Sequence, residues 1–150
     1  MEISDLLIPK LIELNLEAKT KNDALRELVN LLAAEDKITS KEEFYQVILD
    51  REEKSTTGVG NGVAIPHGKS EVVKEPALVF AKTEEGIEFD SLDEQPAKIF
   101  FMIAVPKTGT DDHLKILAQL SRKLMHDDFR QDLLAAQSKK EILSVIDEHE

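Results

Sequence analysis

A chain of 150 residues with 41% hydrophobic content and no low-complexity run is long enough to fold as one α/β domain around its own core. The absence of cysteine excludes a disulfide scaffold, a thiolate metal site and a cysteine nucleophile, so covalent chemistry must use another side chain. A net charge of −11 opposes nucleic-acid backbones and anionic lipid, which leaves a protein or a small solute as partner.

The start, Met1-Glu2-Ile3-Ser4-Asp5, has no basic segment leading into an apolar stretch, and no later run approaches the roughly 18 apolar residues of a membrane span. A cytoplasmic protein without membrane insertion is expected. Between Thr20 and Asp36, Ala24, Leu25, Leu28, Val29, Leu31 and Leu32 recur at helical spacing, with Thr20 or Asn22 as cap. Ser40 and Glu43 form a capping box ahead of a second helix, which buries Phe44, Val47 and Ile48, ends near Glu52 and carries Arg51 close to its last turn. Ser55 to Gly68 holds four of the six glycines and is expected to be mostly loop, with a short strand at Val63-Ala64-Ile65 before Pro66. Strands are predicted at Ala77 to Lys82 and Lys98 to Val105, the second apolar throughout from Ile99 and so buried on both faces. A further short strand is expected around Ile87 and Phe89. Helices follow from Asp111 or Asp112, placing His113 in a first turn, from Asp127 or Asp128, and from Ser138 with Glu141 completing a capping box. The sum is a single α/β domain over residues 1–150, a small mixed sheet with helices on both faces.

The chemistry concentrates in Ser55-Thr56-Thr57-Gly58-Val59-Gly60-Asn61-Gly62-Val63-Ala64-Ile65-Pro66-His67-Gly68. Glycines let the main chain approach a ligand, and Pro66 fixes the entry to His67. A histidine of ordinary pKa, near ~6.5, is largely uncharged at neutral pH, so a ring nitrogen has a lone pair that attacks phosphorus without a general base. Phosphoryl transfer spreads charge over three oxygens and needs positioned donors. Loop N–H groups, the planar fork of Arg51 and His113 at a helix N-terminus are the candidates. Each has a plainer role: the glycines could only turn the chain, and Arg51 could pair with Glu52 or Glu53. Val63 stands where a dinucleotide fingerprint needs its third glycine, and no Gly-Lys-Ser/Thr ending completes a P-loop. His67 with His113 as a metal pair lacks a third ligand, and His126 and His149 read as ordinary exposed positions.

Arg51-Glu52, the loop through Pro66-His67-Gly68, and His113-Leu114 far downstream together resemble the fructose/mannitol-type enzyme IIA family of the sugar phosphotransferase system, related to the nitrogen-type IIA proteins. The resemblance spans the chain, including Gly86-Ile87-Glu88-Phe89-Asp90 and the strand from Ile99 to Pro106. Thr56-Thr57-Gly58 departs slightly from the usual Ser-Thr-Gly, which bears on one local hydroxyl contact. It implies a mixed sheet of about five strands covered by helices. It also implies His67 as the residue phosphorylated by HPr, at Nε2, with Arg51 and His113 holding the phosphoryl oxygens, and a IIB domain of a sugar permease as acceptor. No cofactor and no metal are expected. The alternative within the resemblance is a regulatory protein whose His67 phosphorylation controls targets. The −11 charge leads us to expect a basic rim on HPr or IIB.

Overall fold

The computed structural model describes residues 2–108 and 112–149, with the side chains of residues 112 and 113 outside the description. A helix forms at each of the five expected places, and one at Ile3–Leu6 is added to them, while the cap side chain expected at Asp111 or Asp112 lies outside the described residues. Helix α1 spans Ile3–Leu6, α2 Lys21–Ala34, α3 Lys41–Lys54, α4 Asp112–Leu124, α5 Asp127–Ala135 and α6 Lys139–Glu148. The hydroxyls of Thr20, Ser40 and Ser138 accept the N–H groups of Asp23, Glu43 and Glu141, each three residues on. That satisfies one of the orphan donors at the start of α2, α3 and α6. At α6 the box closes one residue early, because the Glu141 carboxylate takes the Gln137 N–H at 2.6 Å instead of that of Ser138. Helix α5 starts at Asp127, but its cap residue is His126, which makes no side-chain cap bond.

The sheet has six strands, β1 Ile12–Glu13, β2 Gly58–Gly60, β3 Val63–Ala64, β4 His67–Ser70, β5 Ala77–Ile87 and β6 Ala97–Pro106, against the five or so expected. The order is β1-β5-β6-β3-β2, with β4 also on β6. The separate strand expected at Ile87 and Phe89 does not form: Ile87 ends β5 and pairs with Ala97, and Phe89 lies outside the strand. The strand expected at Val63-Ala64-Ile65 forms as β3, but the reading of Ser55 to Gly68 as mostly loop is corrected, since β2, β3 and the start of β4 occupy half of it. Strand β1 escaped the sequence because two residues have no detectable period.

Strand β6 organises the rest. Residues Ile99 to Val105 are all buried, as an unbroken apolar run requires of a strand covered on both faces. On one side β6 pairs antiparallel with β5. Its other side carries two short parallel strands end to end, β3 against Ile99 and Phe100, then β4 against Ile103 to Pro106. Pro66 bridges them, offering no N–H but giving its carbonyl to Ile103 N–H at 2.9 Å. Helices α2 and α3 pack together over β5 and β4, while α1, α4, α5 and α6 form a second group against β5 and β6. His67 is therefore the first residue of a strand held by the most buried element of the fold.

Candidate functional site

Strand β4 and helix α3 pack closely enough that a Cβ on Gly68 would lie 3.1 Å from both Val47 and Ile48. This contact brings the last turns of α3 to the start of β4, so Arg51 reaches His67. Both are half-buried. The Arg51 Nε–H donates to His67 Nε2 at 3.3 Å, and Arg51 Nη1 donates to the Ser55 carbonyl at 2.9 Å. On the other side of the ring, Nδ1 lies 2.9 Å from the Ile65 carbonyl. A carbonyl can only accept, so Nδ1 carries the proton and Nε2 presents its lone pair toward Arg51.

The ring lines an open cavity of about 370 Å³ together with Val47, Asp50, Arg51, Lys54, Gly68 and Lys69. Among the described residues that line it, three cations stand against one carboxylate, on a chain of net charge −11.

The glycine loop does something other than expected. Residues 60 to 62 all have positive φ (98°, 58° and 77°), which Gly60 and Gly62 tolerate, and they make the turn from β2 to β3. The N–H groups of Thr57, Gly58, Asn61 and Ile65 are donated to Glu52, Thr56, Asp93 and the Thr57 carbonyl. They serve the loop's own architecture and do not line an anion cradle. The Asn61 and Gln95 N–H groups together hold the Asp93 carboxyl below the usual range.

Arg51 does not pair with Glu52 or Glu53, and among the described residues it makes no ion pair. Glu52 turns the other way, onto Lys21 at 3.1 Å and the hydroxyl and N–H of Thr57. Sequence reading missed both partners, although their signal was present in Arg51-Glu52 next to an extra threonine. His113 lies in the first turn of α4 as expected, and its side chain is outside the description, as is residue 111. His126 is exposed as expected. His149 is not an ordinary exposed position: its ring packs edge-on to Phe129, 5.0 Å between centroids, and Nε2 meets Asp132 at 3.2 Å. No group of three potential metal ligands occurs among the described residues, nor is any helix there long and apolar enough to cross a membrane.

Known proteins identify the family and the fold. A family model described as "Phosphoenolpyruvate-dependent sugar phosphotransferase system, EIIA 2" matches residues 5–149. The "PTS system fructose-specific EIIA component" of Haloferax volcanii is 42% identical over 147 residues, 98% of this chain and 96% of that protein. Among solved structures, the nitrogen regulatory protein IIA-Ntr from Neisseria meningitidis superposes with a TM-score of 0.89 at 31% identity, covering 96% of this chain and 98% of that one. Mannitol enzyme IIA from Escherichia coli, in complex with phosphorylated enzyme IIB, gives 0.82 at 25% identity, with 95% and 97% covered. With the family matched over nearly the whole length and a close relative at 42% identity, the chain belongs to the EIIA 2 family of the phosphoenolpyruvate-dependent sugar phosphotransferase system.

Proposed function

We propose that this protein is a phosphocarrier for sugar uptake of the fructose or mannitol class, taking a phosphoryl group from phosphorylated HPr onto His67 and passing it to a IIB domain. The observation that carries the reading is the state of the His67 ring, with Nδ1–H committed to the Ile65 carbonyl and Nε2 facing the cation-lined cavity. In loading, the Nε2 lone pair attacks phosphorus. A P–N bond forms as the bond from phosphorus to the donor breaks, the electron pair staying on the donor, and no proton needs to move at His67. In unloading, that P–N bond breaks as a cysteine thiolate of IIB bonds to phosphorus. Arg51 would move from Nε2 to the phosphoryl oxygens, with His113 as a second donor, and Lys54 and Lys69 favour the approach of the anion.

The test is incubation with phosphoenolpyruvate, enzyme I and HPr, followed by intact mass. One added phosphoryl group, acid-labile, base-stable and absent from His67→Ala, is the expected result; a gain that persists in that variant sinks the assignment. The likeness to the Neisseria nitrogen regulatory protein favours one second reading, in which the phosphorylation state of His67 controls target proteins. Mixing the isolated phosphorylated protein with purified IIB in the presence of chelator separates the two, because only the uptake role requires the label to leave.

A further inference from the structure

We propose that Glu52 is a positioning residue for phosphoryl transfer, orienting both nitrogens of the His67 ring through the segment Ser55–Thr57; this rests on the phosphocarrier reading of His67. The Glu52 side chain is only 6% exposed, and both its oxygens are engaged. Oε1 accepts the Thr57 N–H at 3.1 Å and faces Lys21 Nζ at 3.1 Å, while Oε2 accepts the Thr57 hydroxyl. Lys21 is in turn held over the Phe89 ring, 4.7 Å from its centroid, with Asp90 at 3.5 Å.

Two short hydrogen-bonded chains, one leaving Thr57 and one leaving Ser55 on the same segment, end on the two ring nitrogens. In the first, the Thr57 carbonyl accepts the Ile65 N–H at 3.0 Å, and the Ile65 carbonyl holds His67 Nδ1 at 2.9 Å. In the second, the carbonyl of Ser55, two residues before Thr57, anchors Arg51 Nη1 at 2.9 Å, and Arg51 Nε meets His67 Nε2 at 3.3 Å. The carboxylate thus touches neither the ring nor the guanidinium, yet it fixes the peptide from which both are hung. Burying a carboxylate is unfavourable compared with burying an apolar side chain of the same size. No apolar side chain, however, can accept an N–H and an O–H from one residue at once. Helix α3 delivers Arg51 and Glu52 at successive positions, so the group that meets the ring and the group that fixes the loop share one rigid turn.

The experiment compares Glu52→Ala, Lys21→Met and Thr57→Val with the parent. Loading from phosphorylated HPr is followed at varied donor concentration, and the ring-nitrogen NMR spectrum of His67 is recorded in the unphosphorylated proteins. Glu52→Ala is expected to lower kcat by about 10- to 100-fold with KM within about 2-fold, since sub-ångström misplacement penalises the transition state more than docking. Its spectrum is expected to shift from the Nδ1–H tautomer toward a mixture. Lys21→Met breaks the same ion pair but leaves Thr57 clamped, so it is expected to lose melting temperature while keeping kcat and tautomer. Thr57→Val, which retains the N–H, should fall between, and it stands in if Glu52→Ala does not fold. Parent-like kcat and spectrum in Glu52→Ala would overturn the proposal, as would a loss in Lys21→Met equal to that in Glu52→Ala. The spectrum requires no phosphoryl donor. A parent that is never loaded on His67 would defeat the phosphocarrier reading and leave the tautomer to decide the positioning separately.

Discussion

Replacing Arg51 by lysine keeps the charge and removes the geometry. In the resting protein the guanidinium uses Nε and Nη1 at once, toward His67 Nε2 at 3.3 Å and the Ser55 carbonyl at 2.9 Å. A lysine has one nitrogen at the end of a flexible stem and cannot serve both partners from one plane. If Arg51 gives the transferring group one charge-assisted hydrogen bond that lysine cannot reproduce, the loss is about 1.5–3 kcal/mol. At ~1.36 kcal/mol per tenfold, this corresponds to roughly a 10- to 150-fold fall in the loading rate. Rapid-quench intact-mass measurement against phosphorylated HPr gives that rate, and a thermal melt shows that the fold survives. Arg51→Ala should lose at least as much. Loading by Arg51→Lys within about 3-fold of the parent would refute the argument, because a point charge would then suffice and the planar fork would be irrelevant.

His113→Ala should slow loading without abolishing it, by at most the ~10²–10³ typical of one oxyanion donor, and equal rates would return His113 to a structural role. Gly58→Ala should destabilise the protein by about 1–3 kcal/mol in a denaturant melt, because the new Cβ would lie 3.0 Å from the Ser91 Cα and 3.2 Å from the Phe89 carbonyl oxygen. An unchanged midpoint would show that the Phe89–Ser91 segment yields freely. Lys82 donates to the carbonyls of Leu133, Leu134 and Ala136 at the end of α5, so Lys82→Met should cost about 1–3 kcal/mol. Burial holds the Lys82 pKa below the usual lysine value, partly opposed by Glu84 and Glu141. Between that depressed value and the unfolded ~10.4 the unfolded chain binds more protons, so parent stability rises relative to Lys82→Met as pH increases through this window. A gap between the two melts that narrows there would contradict the assignment.

Most of the helices and the central strand pair were legible because their signals are local. Thr20, Ser40 and Ser138 cap where expected, and Ile99 to Val105 is buried as its unbroken apolar run requires. His67 and Arg51 were legible as candidates through their types and spacing. Their contact was not, since it arises from α3 packing onto Gly68 across an interval that has no period. Thr57 and Glu52 show the same limit, because a buried carboxylate next to an arginine reads on paper as its neighbour's partner. The two-residue strand β1 exists through its pairing with the long β5, and the three-residue β2 through β3, itself held on β6, so tertiary pairing decided what local pattern could not.

The guanidinium beside Nε2 also has a protective consequence. An imidazole that donates one N–H to a carbonyl and presents the lone pair of its other nitrogen is, by itself, a good ligand for zinc, copper or nickel. Arg51 puts a permanent positive charge 3.3 Å from that lone pair, where an incoming dication would be repelled and would find the electron pair already engaged. A tetrahedral phosphoryl group carries the opposite charge and can be exchanged for the nitrogen without moving the cation far. On the phosphocarrier reading proposed above, the resting contact would therefore favour an anion over a metal ion at His67.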